Sequence, residues 1–390
     1  MGKKQVLITG GGAAGLMAAI FAARNGAAVT VLEQNEKPGK KICATGNGKC
    51  NLTNLSMPSD AYRGKHPEFV REALGQLSVE DTVKFFEEIG IVTVSRNGYL
   101  YPRSGQAQSV TDVLCMEARS LGVKLKTNQK VTSISRHKGI WKVTTTDWHY
   151  EGDALILAGG SKASAVAGSD GSCYDLAKSQ GHTIVPVYPA LTALKCKGKN
   201  FKAWSGVRTG GEITLQIDGK PFKKEQGELQ LTEYGVSGIP VFQLSRYAVC
   251  ALREGHQVSL SLDFFSEYTQ EELKGLLLGR KEHCPYKTEK ELLIGLLPEK
   301  LIKVLASDRD FPNSLKDFPL EVTDTMSFAQ AQICCGGVDT AEVDSRTMES
   351  RLKKGLYFAG ELLDIDGICG GYNLQWAWSS GAAAGSHAAK

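Results

Sequence analysis

Three glycines near the start of the chain have the spacing of a phosphate-binding turn. Gln5–Thr9 is a short β-branched and apolar run, and Gly10, Gly12 and Gly15 precede an alanine-rich stretch that predicts a helix. Gly10 permits a tight turn, Gly12 lets the backbone approach a pyrophosphate, and Gly15 lets the helix pack closely. The helix N-terminus would present free N–H groups to the phosphates. The predicted cofactor contacts of this turn are Gly10, Gly12, Ala13, Ala14 and Gly15.

An acidic residue further along the chain narrows the choice of nucleotide. Residues 27–32 predict a second strand that ends at Glu33, about 20 residues after the turn. Its carboxylate can accept both hydroxyls of an adenosine ribose, which favours FAD or NAD over NADP. Gln34 is a further predicted contact. The alternative is a glycine-rich turn in an unrelated α/β protein.

The segment 38–54 is so rich in glycine and asparagine that it predicts a loop that wraps a cofactor. Backbone amides there can reach phosphate and ribityl oxygens, and Asn side chains offer donors and acceptors to a polyol. A solvated surface loop is the alternative interpretation. The predicted contacts in this segment are Lys40, Lys41, Thr45, Gly46, Asn47, Gly48 and Asn51.

A second glycine-rich segment near the C-terminus favours FAD over NAD. Residues 355–361 predict a strand followed by glycine and Glu361, whose carboxylate can accept from a ribityl hydroxyl. The helix predicted at 376–389 would direct its N-terminal amides at a pyrophosphate or an isoalloxazine ring. An NAD dehydrogenase would not need this cradle. The predicted contacts here and along the strands at 131 and 152–160 are Val131, Ala158, Gly159, Gly160, Gly360, Glu361, Gly367, Gly371, Tyr372, Asn373 and Leu374.

Length and composition restrict the class of protein. A chain of 390 residues predicts two or three compact units, and no apolar run reaches the roughly 20 residues that cross a membrane. The formal charge of +4 is small for this length. Ten cysteines lack the spacing of a metal site, so no metal is predicted and reduced, buried thiols in a cytoplasm are expected. Oligomeric state stays open.

Several longer motifs run from the first predicted strand to the last predicted helix. They read GGGAAGLMAA, GKKICATGNGKCNLTN, YLYPRSGQAQSV, GSDGSCYDLAKSQGH, LTEYGVSGIPVFQLS and GLYFAGELLDIDGICGGYNLQWAWSSG. Together they resemble the BaiN/YhiN-like flavoproteins, also called the aminoacetone oxidase family. The resemblance implies an α/β fold in which a two-dinucleotide-binding, Rossmann-like FAD domain is interrupted by an inserted β-barrel domain with a small helical subdomain.

The expected domain boundaries follow from that resemblance. Residues 1–190 and 327–390 would form the discontinuous FAD-binding domain, and 191–326 the inserted substrate or cap domain, with its helical subdomain at about 268–310. The sequence pattern alternates as strands do over 192–222. It predicts helices at Ile239–Arg253, 270–284 and 289–306, and strands at 320–325 and 332–338.

Three side chains are candidates for substrate chemistry. Tyr101 could protonate a carbanion and Arg103 could bind a carbonyl oxygen or an anionic group, because the family uses this segment near the flavin. Glu233 stands where many relatives have a histidine, so it would have to supply any acid from the barrel. The alternatives are that Tyr101 is an ordinary half-buried aromatic residue and that Arg103 is a surface ion-pair residue. Glu233 has a similar structural alternative. Cys173, which replaces a usual glycine, is expected to be a packing residue.

The reactions associated with the family share hydride exchange between a flavin and a carbon conjugated or adjacent to a carbonyl. We therefore expect an FAD-dependent reductase of enone-like double bonds, with NAD(P)H as a transient donor because no second nucleotide fingerprint follows. The alternatives are an aminoketone oxidase, an enzyme that reduces uracil in ribosomal RNA, and a non-catalytic flavin sensor. RNA would use a basic, aromatic stretch formed by Lys195, Lys197, Lys199, Phe201, Lys202, Trp204 and Arg208.

Overall fold

A computed structural model gives the structure of residues 2–164, 168–199 and 201–390. The chain divides into two compact units. The first consists of the residues up to Val187 together with Ile333–Lys390, and the second is Tyr188–Gln332. We call these the nucleotide unit and the barrel unit. No helix in these three ranges is long and apolar enough to cross a membrane.

The helices and strands follow one another along the chain in three parts. The first part contains β1 (Gln5–Thr9), α1 (Ala13–Arg24), β2 (Ala28–Leu32), α2 (Lys40–Ala44), β3 (Thr53–Asn54), β4 (Tyr62–Arg63), α3 (Val70–Gln76), α4 (Val79–Glu88), β5 (Thr93–Arg96), β6 (Tyr99–Pro102), α5 (Ala107–Ser120), β7 (Lys124–Lys126), β8 (Val131–His137), β9 (Ile140–Thr145), β10 (His149–Gly152), β11 (Ala154–Leu157), α6 (Ser172–Ser179) and β12 (Ile184–Ala190). Next come β13 (Leu194–Lys197), α7 (Phe201–Trp204), β14 (Arg208–Ile217), β15 (Lys220–Thr232), β16 (Gly235–Ser237), α8 (Ile239–Arg253), β17 (Val258–Asp263), α9 (Gln270–His283), α10 (Glu289–Leu292), α11 (Glu299–Leu305) and β18 (Phe318–Thr325). The last part contains β19 (Ile333–Val338), β20 (Leu356–Phe358), β21 (Asp366–Gly367) and α12 (Tyr372–Ala388).

A parallel sheet with the strand order β20-β11-β1-β2-β7 forms the centre of the nucleotide unit. Its middle strand β1 is apolar on both faces, and Val6 and Ile8 are fully buried. Such strands belong to parallel sheets covered on both sides. Because the carboxyl ends of parallel strands meet at one edge, the glycine-rich turns after β1, β11 and β20 lie together there.

Helices α1 and α12 pack so closely that the backbone of one contacts the backbone of the other. A Cβ placed on Gly381 would lie 2.4 Å from the Ala14 carbonyl oxygen, and one on Gly385 would lie 2.2 Å from that of Ala18. Only glycine permits such an approach, since any side chain would collide with the facing backbone. This contact brings the last helix of the chain onto the first.

A buried histidine links two segments of the nucleotide unit. The Ser350 hydroxyl accepts backbone N–H bonds from Leu352 at 3.0 Å and Lys353 at 2.8 Å. It therefore donates its own proton to His182 Nε2, 2.8 Å away, which requires a neutral ring. His182 Nδ1 faces Glu342 Oε2 at 3.2 Å. Burial, the largest cause, lowers the pKa of His182, although Glu342 opposes that shift.

The barrel unit is a closed barrel of the strand order β13-β16-β15-β14-β17-β18, as the resemblance implied. Its neighbouring strands are antiparallel, and alternate residues such as Ile213, Leu215, Leu229 and Leu231 are fully buried. Helix α8 packs against β14, β15 and β18. The stretch expected to hold a helical subdomain, 268–310, contains α9, α10 and α11.

Two expectations about the barrel unit were wrong. The single helix predicted at 289–306 is two short helices, because Gly295 has a left-handed φ of +87° and Pro298 caps the start of α11. The strand pattern of 192–222 is interrupted by α7, whose Phe201 and Trp204 are buried and stack with ring centroids 5.5 Å apart. Burial of these two rings overrides the strand pattern.

We expect Gly385→Ala to lower the free energy of unfolding by about 1–3 kcal/mol, because the added methyl group collides with the Ala18 carbonyl. Chemical unfolding of the flavin-loaded protein measures this. Gly75→Ala is the matched control, since nothing lies within 4 Å of its Cβ position on α3. An equal loss in both variants would contradict the packing account.

Protonation of His182 should destabilise the fold at acid pH. Its folded pKa lies below 6.5, so the unfolded chain binds the proton more tightly and stability falls as pH drops below that value. We expect His182→Gln to show a smaller loss of unfolding free energy between about pH 7.5 and about pH 5.5. The exposed His137→Gln should keep the wild-type slope. If His182→Gln lost as much unfolding free energy over this pH range as the wild type does, protonation of His182 would not be the cause.

Candidate active site

The turn after β1 shows three different uses of glycine. A Cβ on Gly10, which has a φ of +92°, would lie 2.6 Å from the Ala158 carbonyl oxygen, and one on Gly15 would lie 1.9 Å from the Gly10 carbonyl oxygen. Both positions are therefore closed by the protein itself. Nothing lies within 4 Å of a Cβ on Gly12. The space in front of Gly12 is open, as a backbone that approaches a pyrophosphate requires.

The N-terminus of α1 offers hydrogen-bond donors. Leu16 N–H donates to the Gly12 carbonyl at 2.9 Å and so begins the helical pattern. The N–H groups of Gly12, Ala13 and Ala14 have no acceptor within the described ranges. Free amides at a helix start favour an anionic group, and the predicted pyrophosphate is one.

The Glu33 carboxylate accepts hydrogen bonds from the protein itself, which its position in the sequence does not reveal. Its Oε2 accepts the Gly11 N–H at 2.6 Å, and its Oε1 accepts both the backbone and the side-chain N–H of Asn35 at 2.8 Å. A carboxylate has about four lone-pair sites, so three protein donors leave space for about one ribose hydroxyl. Beside it, Gln34 donates its side-chain amide to the Gly168 carbonyl.

The segment 38–54 is more regular than the sequence predicted. It contains α2, a 3-10 turn over Thr45–Gly48 with left-handed Gly46 and Asn47, and β3. Gly39, with a φ of +73°, donates its N–H to the Gly11 carbonyl at 2.8 Å. This hydrogen bond fixes the segment against the turn after β1. It therefore restrains a backbone to which the glycines alone would give conformational freedom.

Lys41 on α2 contacts a carboxylate from the other end of the chain. Its Nζ lies 2.5 Å from Glu361 Oε2, and the Ser161 hydroxyl donates to the same oxygen at 2.9 Å. Both charged side chains are about one-fifth exposed. The sequence pointed to Lys41 and Glu361 but missed Ser161, whose only signal was its position after the glycine pair of β11.

The C-terminal cradle is held by amides. Asn373 accepts the Gly367 N–H at 2.8 Å and donates to the Gly367 carbonyl at 3.0 Å, so its predicted cofactor contact would compete with these bonds. With its amide oriented to satisfy its neighbours, Asn51 accepts the Gly371 N–H at 3.2 Å. Gly360 donates its N–H to Ser380 at 2.9 Å. The N–H groups of Tyr372 and Leu374 have no described acceptor.

Other predicted contacts pack around this edge of the sheet. Ala158 follows β11 and is buried, and a Cβ on Gly159 would lie 2.1 Å from Cys173 Sγ. Cys173 fills this gap, and burial raises the pKa of its thiol to about 11, in agreement with the expected packing role. Val131 begins β8, two residues after Gln129, which donates its N–H to the Glu33 carbonyl at 2.9 Å.

Not every thiol is buried as expected. Cys43, Cys196, Cys250, Cys284 and Cys369 are partly exposed, whereas the other five cysteines are buried. None of the ten, which all lie in the described ranges, is in a disulfide bond.

The three catalytic candidates lie in different surroundings. Tyr101 is half-buried on β6, near Gly46, and burial raises the pKa of its hydroxyl. Arg103 is exposed and makes no ion pair or side-chain hydrogen bond within the described ranges. Glu233 is exposed in the turn between β15 and β16 of the barrel unit.

Sequence reasoning also missed a buried ion pair. The Arg63 guanidinium on β4 lies 2.9 Å from the Asp366 carboxylate on β21, and both side chains are less than one-tenth exposed. Arg63 also donates to the Gly367 carbonyl at 3.1 Å. The pair therefore supports the turn that leads into the cradle. The sequence DIDG, with two acidic residues shortly before the glycine pair of the cradle, was the signal that could have revealed this ion pair.

These residues fit a dinucleotide at one edge of the sheet. Gly12, Ala13 and Ala14 would hold the pyrophosphate, Glu33 the ribose, and the segment 38–54 with α12 the flavin half. The same architecture occurs in a 3-ketosteroid Δ1-dehydrogenase from Sterolibacterium denitrificans, with a TM-score of 0.51, 12% identity and 99% of each chain covered. The protein is an FAD-dependent oxidoreductase with a Rossmann-type nucleotide unit.

The family follows from the whole sequence. A family profile described as "HI0933-like protein Rossmann domain" matches residues 4–387, and the chain belongs to this family, which confirms the resemblance seen in its motifs. It is 44% identical to the 3-dehydro-bile acid Δ(4,6)-reductase of Clostridium scindens over 98% of each chain. It is 31% identical to a ribosomal RNA dihydrouridine synthase of Haemophilus influenzae over 96% of each chain.

The open space at Gly12 gives a direct test of the cofactor site. We expect Gly12→Val to fold, because its new side chain meets no protein atom within 4 Å of the Cβ, but to lose bound FAD. The measurement is the visible flavin absorbance per mole of purified protein, with the unfolding temperature of the FAD-free form alongside. Gly75→Val on α3 should keep its FAD. A yellow Gly12→Val protein would place the pyrophosphate elsewhere.

Proposed function

We propose that this protein reduces a carbon–carbon double bond conjugated to a carbonyl group. The observation that carries this proposal is the 44% identity, over 98% of both chains, with an enzyme named as a 3-dehydro-bile acid Δ(4,6)-reductase. Bound FAD would supply the two-electron chemistry, and NAD(P)H would be the transient donor that enters and leaves. The substrate would be a small molecule with a ring enone, of which steroids are one class.

Within this proposal each candidate residue has a role. Tyr101 would protonate the carbon next to the carbonyl, and Arg103, which has no described ion-pair partner, is free to bind a carbonyl oxygen or an anionic substrate group. Glu233 would be the acid that the barrel contributes. The insert 191–326 would act as the substrate or cap domain of the discontinuous FAD-binding domain, 1–190 with 327–390. A cytoplasmic location agrees with ten cysteines in the thiol form.

Reduction of uracil in ribosomal RNA is the second candidate, because relatives of that name are 31% and 29% identical. The surface expected to bind RNA does not favour it. Phe201 and Trp204 are buried against each other and cannot stack on bases. Arg208 lies 2.7 Å from Glu228, and Lys197 lies 3.3 Å from Glu321, so carboxylates offset part of the positive charge.

The test is anaerobic stopped-flow of the FAD form with NADH or NADPH, followed by separate exposure to a ring enone, air and unmodified ribosomal RNA. We expect the nicotinamide to bleach the flavin and the enone to restore its absorbance at least about tenfold faster than air does. Faster return with RNA would replace the proposal by an RNA-modifying enzyme. Bleaching only by an amine donor with fast return in air would identify an oxidase, and no turnover of any acceptor would identify a sensor.

A further inference from the structure

Two tyrosines stand side by side on β6. Tyr99 and Tyr101 are two residues apart, so their side chains point to the same face of the strand. Both are half-buried, whereas Leu100 and Pro102 on the opposite face are buried. The Arg96 guanidinium lies 5.7 Å from the centroid of the Tyr101 ring and adds positive charge on that side.

A third tyrosine reaches the same place from the C-terminal cradle. A Cβ on Gly370, which has a φ of +129°, would lie 2.8 Å from Tyr99 Cε1 and 3.1 Å from Tyr372 Cε2. The two rings therefore meet over one glycine. Because no side chain fits there, Gly370 allows Tyr99 and Tyr372 to approach each other.

The hydroxyl groups of these three tyrosines have no hydrogen-bond partner in the described parts of the chain. Two other tyrosines of the nucleotide unit do have partners: Tyr62 donates to the Tyr372 carbonyl at 3.0 Å, and Tyr150 bonds to Gln129 at 3.2 Å. Burial, followed by the neighbouring Tyr99, raises the pKa of both Tyr101 and Tyr372. These two phenols therefore stay protonated and can donate at neutral pH.

We propose that Tyr99 and Tyr372 form a hydrogen-bond-donating site for the carbonyl oxygen of the substrate, with Tyr101, the proton donor proposed above, next to Tyr99. This inference rests on the proposed function. Addition of hydride to the β-carbon of an enone moves the π electrons onto the carbonyl oxygen as an enolate. Phenolic O–H groups stabilise that charge until a proton reaches the α-carbon. NAD(P)H gives up the hydride and leaves as NAD(P)⁺, and the Tyr101 hydroxyl delivers one proton to the α-carbon and recovers it from water, so the electrons and protons balance.

The central variant is Tyr99→Phe, tested in the FAD-loaded enzyme with androstenedione and cyclohexenone as probes. We expect its affinity for either ketone to fall about threefold to tenfold, and kcat to fall about 100-fold. Affinity for the androstenedione analogue that lacks the conjugated carbonyl should not change. Equilibrium dialysis measures the three affinities. Tyr372→Phe should shift them in the same direction.

Tyr150→Phe is the matched control, because it removes a half-buried hydroxyl from the same unit on β10. FAD content and unfolding temperature should stay at wild-type values in Tyr99→Phe. Equal weakening of the ketone and its analogue would indicate packing alone and overturn the inference, as would unchanged ketone affinity and turnover. In those two cases a wild type that reduces the enones leaves the proposed function standing. A wild type that neither binds nor reduces either ketone refutes both.

Discussion

The contact between α1 and α12 is the constraint on which the rest of the nucleotide unit depends. The carbonyl groups of Ala14 and Ala18 face Gly381 and Gly385 with no space for a Cβ. One end of the chain therefore lies on the other. The free amides at the start of each helix consequently belong to one unit, and a long dinucleotide can use both sets.

Carboxylates fasten the loops around this edge of the sheet. Glu33 holds the turn after β1 through Gly11, and Glu361 holds α2 through Lys41. Each acid bonds protein donors that a ribose or ribityl hydroxyl can supplement, because an ionised carboxylate accepts several hydrogen bonds. The same groups thus fix the loops and would offer acceptors to the cofactor.

Some arrangements that resemble catalytic sites serve packing or support. Ser350, His182 and Glu342 lie in the order of a hydrolase triad, yet two backbone amides bond to the Ser350 hydroxyl, and Ser350 and His182 are buried. Phe201 and Trp204, which the sequence offered as a surface for RNA bases, belong to the barrel core. Hydrogen-bond partners and burial, not residue types, separate these cases from a reactive site.

By itself the sequence determined the βαβ turn, the acid after β2, the glycine-rich cradle and hence the cofactor, because these depend on local backbone conformation and on residues close in the chain. It also predicted α8 and α9 from apolar periodicity. It missed the break at Gly295 and Pro298, the burial of Phe201, the bond from Ser161 to Glu361, and the meeting of Tyr99 with Tyr372. The break at Gly295 and Pro298 is local, and the apolar periodicity of 289–306 concealed it. Only the tertiary structure decided the other three, because each depends on segments far apart in sequence or on what covers a side chain, and neither leaves a periodic pattern.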